Sequence, residues 1–335
     1  MLRLVASIAL VAVVSVLLPA SSAAAVLNVT ATVAFQEVYT PLFGFNNILR
    51  SADDRTVSIL LDRSTGSGFI SSSMYHHGFF SASIKLPSDY TAGVVVAFYT
   101  SNAHVYEKRH DELDFEFLGN IRGKPWRVQT NVYGNGSVSR GREERYVLPF
   151  DPTTEFHRYS ILWTRHAVAF YVDDVPVRHV SRSRAAGDFP AKPMSLYATV
   201  WDGSNWATSG GRYRVNYHYG PFVASFTDLA LAACRVDQNQ MLLPAAQGCA
   251  EAVAAADPAV MTLAKLQAMR RFRERNMVYS YCYDTRRYPV PFAECDLVDS
   301  ERKMFKDSGH LRRPALRRRR AGRRTARAAG AKADM

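Results

Sequence analysis

Glu112, Asp114 and Glu116 alternate with Leu113, Phe115 and Phe117 in the segment HDELDFEFLGN, residues 110–120. Successive side chains of a strand point to opposite faces, so a strand here shows three apolar residues on one side and three carboxylates on the other. Crowded carboxylates raise one another's pKa, so one stays protonated near neutrality while another is ionised. That division supplies an acid and a nucleophile. The two glutamates lie four residues apart, about 13 Å along an ideal strand, and their side chains are long enough to lean inward. Displacement with retention at a sugar carbon needs carboxyl groups about 5–5.5 Å apart, which this spacing allows. Asp114 sits between them and is placed to share a proton or hydrogen bond with one glutamate. An acidic exposed edge and a calcium site are the rival uses of the triplet, but calcium is usually wrapped by a loop, whereas a strand offers one side only.

The following residues supply a partner for the acidic row. GNIRGKP reads as a turn and WRVQTNVYG as the next strand, with Arg127, Gln129 and Asn131 alternating with Val128, Thr130 and Val132. In a hairpin the polar rows lie side by side, giving carboxylates next to amides and a guanidinium, a surface with donors and acceptors for sugar hydroxyls. An exposed face of an antiparallel sheet has the same pattern, and the carboxylate triplet decides between them. Trp201, Trp206, Tyr99 and Tyr106 are candidate stacking platforms, Trp206 first because its Gly/Ser-rich loop buries it less easily. His110 is placed either to orient a neighbour or to serve the fold. The sequence holds no P-loop, dinucleotide glycine fingerprint or nucleophile elbow, and its nine histidines show no metal-ligand spacing. No cofactor and no metal are expected.

These residues need a scaffold of strands. From about Phe35 to Leu231, short alternating segments such as FFSASIKLP, VVVAFYT, YSILWT and MSLYATVW are punctuated by Gly, Pro, Asn and Asp. Many closely spaced strands in one run imply an all-β sandwich or jelly roll. Beyond Cys234, residues Met261, Leu263, Leu266, Met269 and Phe272 recur at mostly threefold spacing, which predicts one amphipathic helix over residues 258–276 packed on the sandwich. The expected organisation is a leader over residues 1–25, a jelly-roll domain over 26–231, a disulfide-stapled extension over 232–298 and a basic disordered tail over 299–335.

The leader follows from Arg3, the apolar run LVASIALVAVVSVLLPA and the small residues SSAAA, the order of a secretory signal peptide. The run is short for a membrane span. In an oxidising compartment the four cysteines, Cys234, Cys249, Cys282 and Cys295, imply two disulfides with three possible pairings. Neighbour pairing closes two short loops, each contributing about 3 kcal/mol in the chain-entropy model. Asn28 and Asn135 head glycosylation sequons. Of the net charge of +12, residues 301–335 carry a surplus of 10, with 13 Lys or Arg against 3 Asp or Glu. On a secreted chain such a tail suits an extracellular polyanion, such as an acidic wall polysaccharide, rather than nucleic acid or membrane; a solvated tail with no partner is the alternative.

Taken together, these residues resemble a known family. HDELDFEFLGN, QTNVYGNG, GREERY, FHRYSILW, YVDDVPVR, WDGSNWATSGG and CYDTRRYP are similar, block by block and in order, to the plant xyloglucan endotransglucosylase/hydrolases. These are retaining jelly-roll enzymes of glycoside hydrolase family 16, which also holds lichenases and laminarinases. The resemblance implies Glu112 as nucleophile, Asp114 as its assistant and Glu116 as acid/base. It also implies glucan contacts at Gln129, Thr130, Asn131, Arg142, Glu143, Asn205, Trp206, Gly210 and Arg287. The implied protein is a monomer in the cell wall that cuts a xyloglucan donor and joins it to a xyloglucan acceptor. A hydrolase of the same bond, a mixed-linkage β-glucanase and a non-catalytic carbohydrate-binding jelly roll are the alternatives. Two features depart from many relatives: Asn120-Ile121-Arg122 is not a sequon, and the basic tail runs past the usual end.

Overall fold

The computed structural model describes residues 28–185, 187–236 and 247–312. Two antiparallel sheets face each other. The first has eight strands in the order β1 (Tyr39–Phe43), β4 (Ser67–Ser71), β13 (Ser195–Asp202), β6 (Val94–Ser101), β7 (Glu112–Leu118), β8 (Arg127–Tyr133), β9 (Glu144–Val147) and β15 (Met277–Ser280). The second has seven, in the order β12 (Val175–Ser181), β11 (Ala167–Val172), β10 (His157–Trp163), β5 (Met74–Lys85), β14 (Phe222–Val236), β3 (Val57–Leu61) and β2 (Ile48–Arg50). This is the all-β jelly-roll sandwich that the strand pattern implies.

β7 shows why the alternation matters. Leu113, Phe115 and Phe117 are fully buried between the sheets. The ring of Phe115 meets Phe170 edge-on at 5.2 Å, and that of Phe117 meets Tyr159 at 4.7 Å. A one-residue slip would turn every carboxylate inward, so burial of these rings fixes the register. Glu112, Asp114 and Glu116 thereby face out of the sandwich. Their strand lies in the middle of its sheet, between β6 and β8.

The C-terminal part differs from expectation in three places. Beyond the four-residue α1 (Phe35–Val38) that precedes β1, a further helix, α2 (Gln247–Ala255), precedes the expected one. Its Val253 is fully buried in a cluster with Phe79, Leu162 and Tyr171 on the outer face of the seven-stranded sheet. The expected helix, α3 (Leu263–Asn276), starts later than residue 258, because the side chain of Thr262 accepts the Lys265 amide at 3.2 Å and caps it there. None of its residues is fully buried, and Leu263 is 72% exposed. α3 is held instead by charge, as described below. Residues 299–312, expected within a disordered tail, are folded: the short helix α4 (Asp299–Arg302) brings Glu301 under cover, and Phe305 stacks on Tyr283 at 5.0 Å. The leader and residues 313–335 lie outside the described residues.

The disulfides pair neighbours, Cys234 with Cys249 and Cys282 with Cys295. The first ties α2 to the end of β14, and the second closes the segment that carries Arg287.

Candidate active site

The carboxylate row of β7 forms the floor of an open cleft of about 480 Å³ on the outer face of the eight-stranded sheet. Register sets its neighbours: Glu112 lies between Ser101 and Tyr133, Asp114 between Tyr99 and Asn131, and Glu116 between Ala97 and Gln129. The amides of β8 therefore stand beside the carboxylates, as the hairpin reading requires. Gln129 donates from Nε2 to Glu116 Oε2 and accepts at Oε1 from Arg145 Nε at 2.5 Å. Asn131 accepts the Arg142 amide at 2.9 Å. His110 Nε2 stands 4.0 Å from Glu112 Oε2. Trp201 and Trp206, centroids 5.9 Å apart, line the wall with Tyr99, Tyr133, Thr199 and Glu143.

Burial and crowding give the three carboxyls unequal proton affinities. Burial pushes the Glu116 carboxyl up from the ordinary 4.5 to about 7, the negative field of Glu112 adds to this, and the Gln129 bond and Arg145 oppose it. Asp114 is driven well above the carboxylate range by burial and by the charges of Glu112 and Glu116 on either side. Glu112 is raised by burial, but a hydrogen bond from Ser101 and the nearby His110 offset part of that. Near neutral pH the row thus offers a proton at Glu116 and an ionisable carboxylate at Glu112, with a protonated Asp114 able to donate between them. This is the division of labour that displacement at a sugar carbon requires.

Most of the expected contact residues converge on this cleft. Glu112, Asp114, Glu116, Gln129, Asn131, Glu143 and Trp206 all line it. Arg287 reaches its edge through an ion pair with Glu143 at 2.8 Å. Asn205 and Gly210 lie exposed in the loop around Trp206, where Asn205 accepts from Arg214 at 3.2 Å and Gly210 adopts a φ of +68°. Two residues are corrected. Thr130 points into the sandwich, where its hydroxyl and carbonyl both accept from Arg178. Arg142 is fully buried, and its guanidinium is committed to Val132 O, Asp188 O and Glu294 beneath the cleft wall. Tyr106 does not line the cleft, and Lys192 Nζ lies 5.6 Å from its ring centroid. Asn28 and Asn135 are both exposed. Tyr133 and Thr199 escaped the sequence reading. Tyr133 continues the alternation of Gln129 and Asn131, whereas Thr199 faces the cleft only because β13 pairs with distant β6. Among the described residues, no group of three or more His, Cys, Asp or Glu is arranged to hold a metal ion.

A jelly-roll sandwich with three crowded carboxylates of unequal proton affinity on one strand of its open cleft has the architecture of a glycoside hydrolase or transglycosylase. Residues 35–219 match glycosyl hydrolases family 16, and residues 250–295 match the xyloglucan endo-transglycosylase C-terminus. The chain is 60% identical over 282 residues to the probable xyloglucan endotransglucosylase/hydrolase protein 30 of Arabidopsis thaliana, covering 84% of this chain and 82% of the relative. It is 41% identical over 272 residues to xyloglucan endotransglucosylase/hydrolase protein 31 of the same plant, covering 79% and 88%. Among solved structures, a Bacillus licheniformis β-glucanase superposes with a TM-score of 0.46 at 20% identity, covering 60% of this chain and 92% of that one. The chain belongs to glycosyl hydrolases family 16, in its xyloglucan endotransglucosylase/hydrolase branch.

Proposed function

We propose that this enzyme cuts the β-1,4-glucan backbone of xyloglucan and rejoins the donor chain to a second xyloglucan chain in the cell wall. The observation that carries this reading is the row Glu112–Asp114–Glu116 on the cleft floor, with Glu116 holding a proton to about pH 7. Glu116 gives that proton to the departing backbone oxygen as Glu112 attacks the anomeric carbon; the glycosidic bond breaks and a glycosyl ester on Glu112 forms. Asp114 steadies Glu112 by donating a hydrogen bond. The freed half leaves, and an acceptor hydroxyl gives its proton to the now ionised Glu116. Its oxygen attacks the same carbon, the ester breaks, and the configuration of the original bond is restored. Water in place of the acceptor completes hydrolysis. Gln129, Asn131, Glu143 and Trp206 orient the glucan, with Arg287, Asn205 and Gly210 at its margins.

The leader reading and the disulfides support secretion to the wall, with glycans at Asn28 and Asn135. The proposed organisation is a jelly-roll unit over 26–231 and a disulfide-stapled extension from 232, with the folded segment 299–312 joined to that extension. The basic tail is proposed to hold the enzyme to acidic wall polysaccharide. A paired assay tests the reaction: xyloglucan is supplied with a labelled xyloglucan oligosaccharide, and label incorporation and new reducing ends are followed together. The expected result is incorporation with few new reducing ends. Abundant reducing ends with little incorporation make the enzyme a hydrolase. Higher activity on undecorated β-glucan overturns the substrate, and no activity on any β-glucan returns the cleft to binding alone.

A further inference from the structure

Register aligns four residues from four neighbouring strands in one row on the cleft face. Glu116 of β7 faces Gln129 of β8, Gln129 faces Arg145 of β9, and Arg145 faces Tyr279 of β15. The row begins at the acid/base carboxyl and ends in the C-terminal extension. We propose that Arg145 is a positioning residue for the acid–base step, fixing the Gln129 amide so that its NH2 group faces Glu116. The inference rests on the reading of Glu116 as acid/base.

The reason lies in what each group can offer. A primary amide has an accepting end and a donating end, whereas a guanidinium only donates. With Arg145 Nε donating to Gln129 Oε1 at 2.5 Å, the amide nitrogen is left to donate to Glu116 Oε2. Flipping the amide would set NH2 against guanidinium and oxygen against carboxylate, losing both bonds. Arg145 is itself held: its guanidinium lies 5.2 Å from the centroid of the Tyr279 ring, and Tyr279 donates to Asp284 at 3.0 Å. The orientation of an amide at the catalytic carboxyl is thus set from the extension.

A fixed donor favours the ionised form of Glu116, as does the charge of Arg145. Both act against a negative neighbourhood. Glu112 on its own strand and Glu143 in the loop before β9 supply the negative charge, while Asp114 beside Glu112 and Tyr99 of β6, which also face Glu116, are pushed toward their neutral forms by burial. Glu116 must give a proton in the first half of the reaction and take one in the second. An acid held protonated by its carboxylate neighbours would serve only the first half. The relay keeps Glu116 able to do both.

The test is the pH profile of kcat/KM for transfer, measured on the full chain. The wild type is expected to show its alkaline limb near pH 7, where Glu116 loses its proton. Arg145→Met keeps bulk but removes the charge and the donor, so the proton is held longer and the limb moves up by about one pH unit. Arg145→Lys, which keeps the charge without the planar fork, shows a smaller upward shift. A limb unmoved or moved down in an Arg145→Met variant with a wild-type circular dichroism spectrum overturns the relay. If the Met variant does not fold, the Lys variant is decisive in the same way. A Glu116→Ala variant separates the two layers. Full turnover in it removes the acid/base reading itself, whereas an inactive Glu116→Ala variant with an unmoved Arg145 limb removes only the relay.

Discussion

Glu112→Ala is expected to lower kcat for both transfer and hydrolysis by on the order of 10⁵-fold, because the glycosyl ester has no carboxylate on which to form. The same substitution leaves the fold intact. Burial raises the carboxyls of Glu112, Asp114 and Glu116, so the folded state binds their protons more tightly than the unfolded chain does. For Glu116 the stability is fully present below 4.5 and is lost as pH rises from there to about 7. Near neutrality the row is therefore a strain on the fold, and removing one carboxylate relieves it. A melting temperature equal to or above that of the wild type, with turnover abolished, is the expected pair of results. A binding-only jelly roll would show no change in behaviour. Loss of turnover together with a collapsed melting transition would make Glu112 structural and contradict the assignment.

Arg273→Ala is expected to cost about 3–5 kcal/mol of stability, the size seen when one partner of a buried ion pair is removed. Arg273 binds Glu144 through two nitrogens, at 2.6 and 3.0 Å, and Glu301 at 3.2 Å. Both carboxylates are nearly inaccessible. Burial alone would raise the Glu144 carboxyl, but Arg273 and Arg178 outweigh it and hold it down to about 2. Stability from this pairing is present above 4.5 and is lost as pH falls toward 2. Without Arg273, Glu144 loses its main cation and stability should instead recover on mild acidification as the carboxyl is protonated. α3 buries no side chain fully, so this cluster, with Phe272 against Tyr146 at 5.6 Å, is what fastens it to β9. Urea unfolding at pH 7 and pH 4 measures the effect. An unchanged midpoint at pH 7 would mean that the cluster is solvated and does not hold the helix.

The cleft floor was legible in the sequence because strand alternation is local: Leu113, Phe115 and Phe117 announce the inner face, and the outer face follows. The amides of β8 were legible for the same reason, since a hairpin carries its register in the turn. What failed was non-local. Thr130 entered through the family resemblance, whereas the local alternation already turns it away from Gln129 and Asn131; the non-local part is Arg178 on a distant strand, which takes up its hydroxyl and carbonyl. Arg142 is polar and adjacent to Glu143, yet the packing of the Asp188 and Glu294 segments buries it. α2 is rich in alanine and shows little contrast between its faces, so periodicity had nothing to act on. Residues 299–312 were masked by their charge: Arg302, Lys303 and Lys306 suggest a solvated tail, while Phe305 and Glu301 dock it. The pairing of Arg145 with Gln129 joins consecutive strands, but its contact with Tyr279 depends on β15 returning from far along the chain to lie beside β9.

The central claim is a covalent intermediate on Glu112, and it can be observed directly. The enzyme is quenched in acid during turnover on a xyloglucan oligosaccharide donor, digested with pepsin and analysed by mass spectrometry. A peptide carrying Glu112 with the added mass of the donor's glycosyl part, lost when acceptor is supplied before quenching, is the predicted result. A glycosylated peptide that excludes Glu112, or products of inverted anomeric configuration with no glycosylated peptide, would contradict the mechanism.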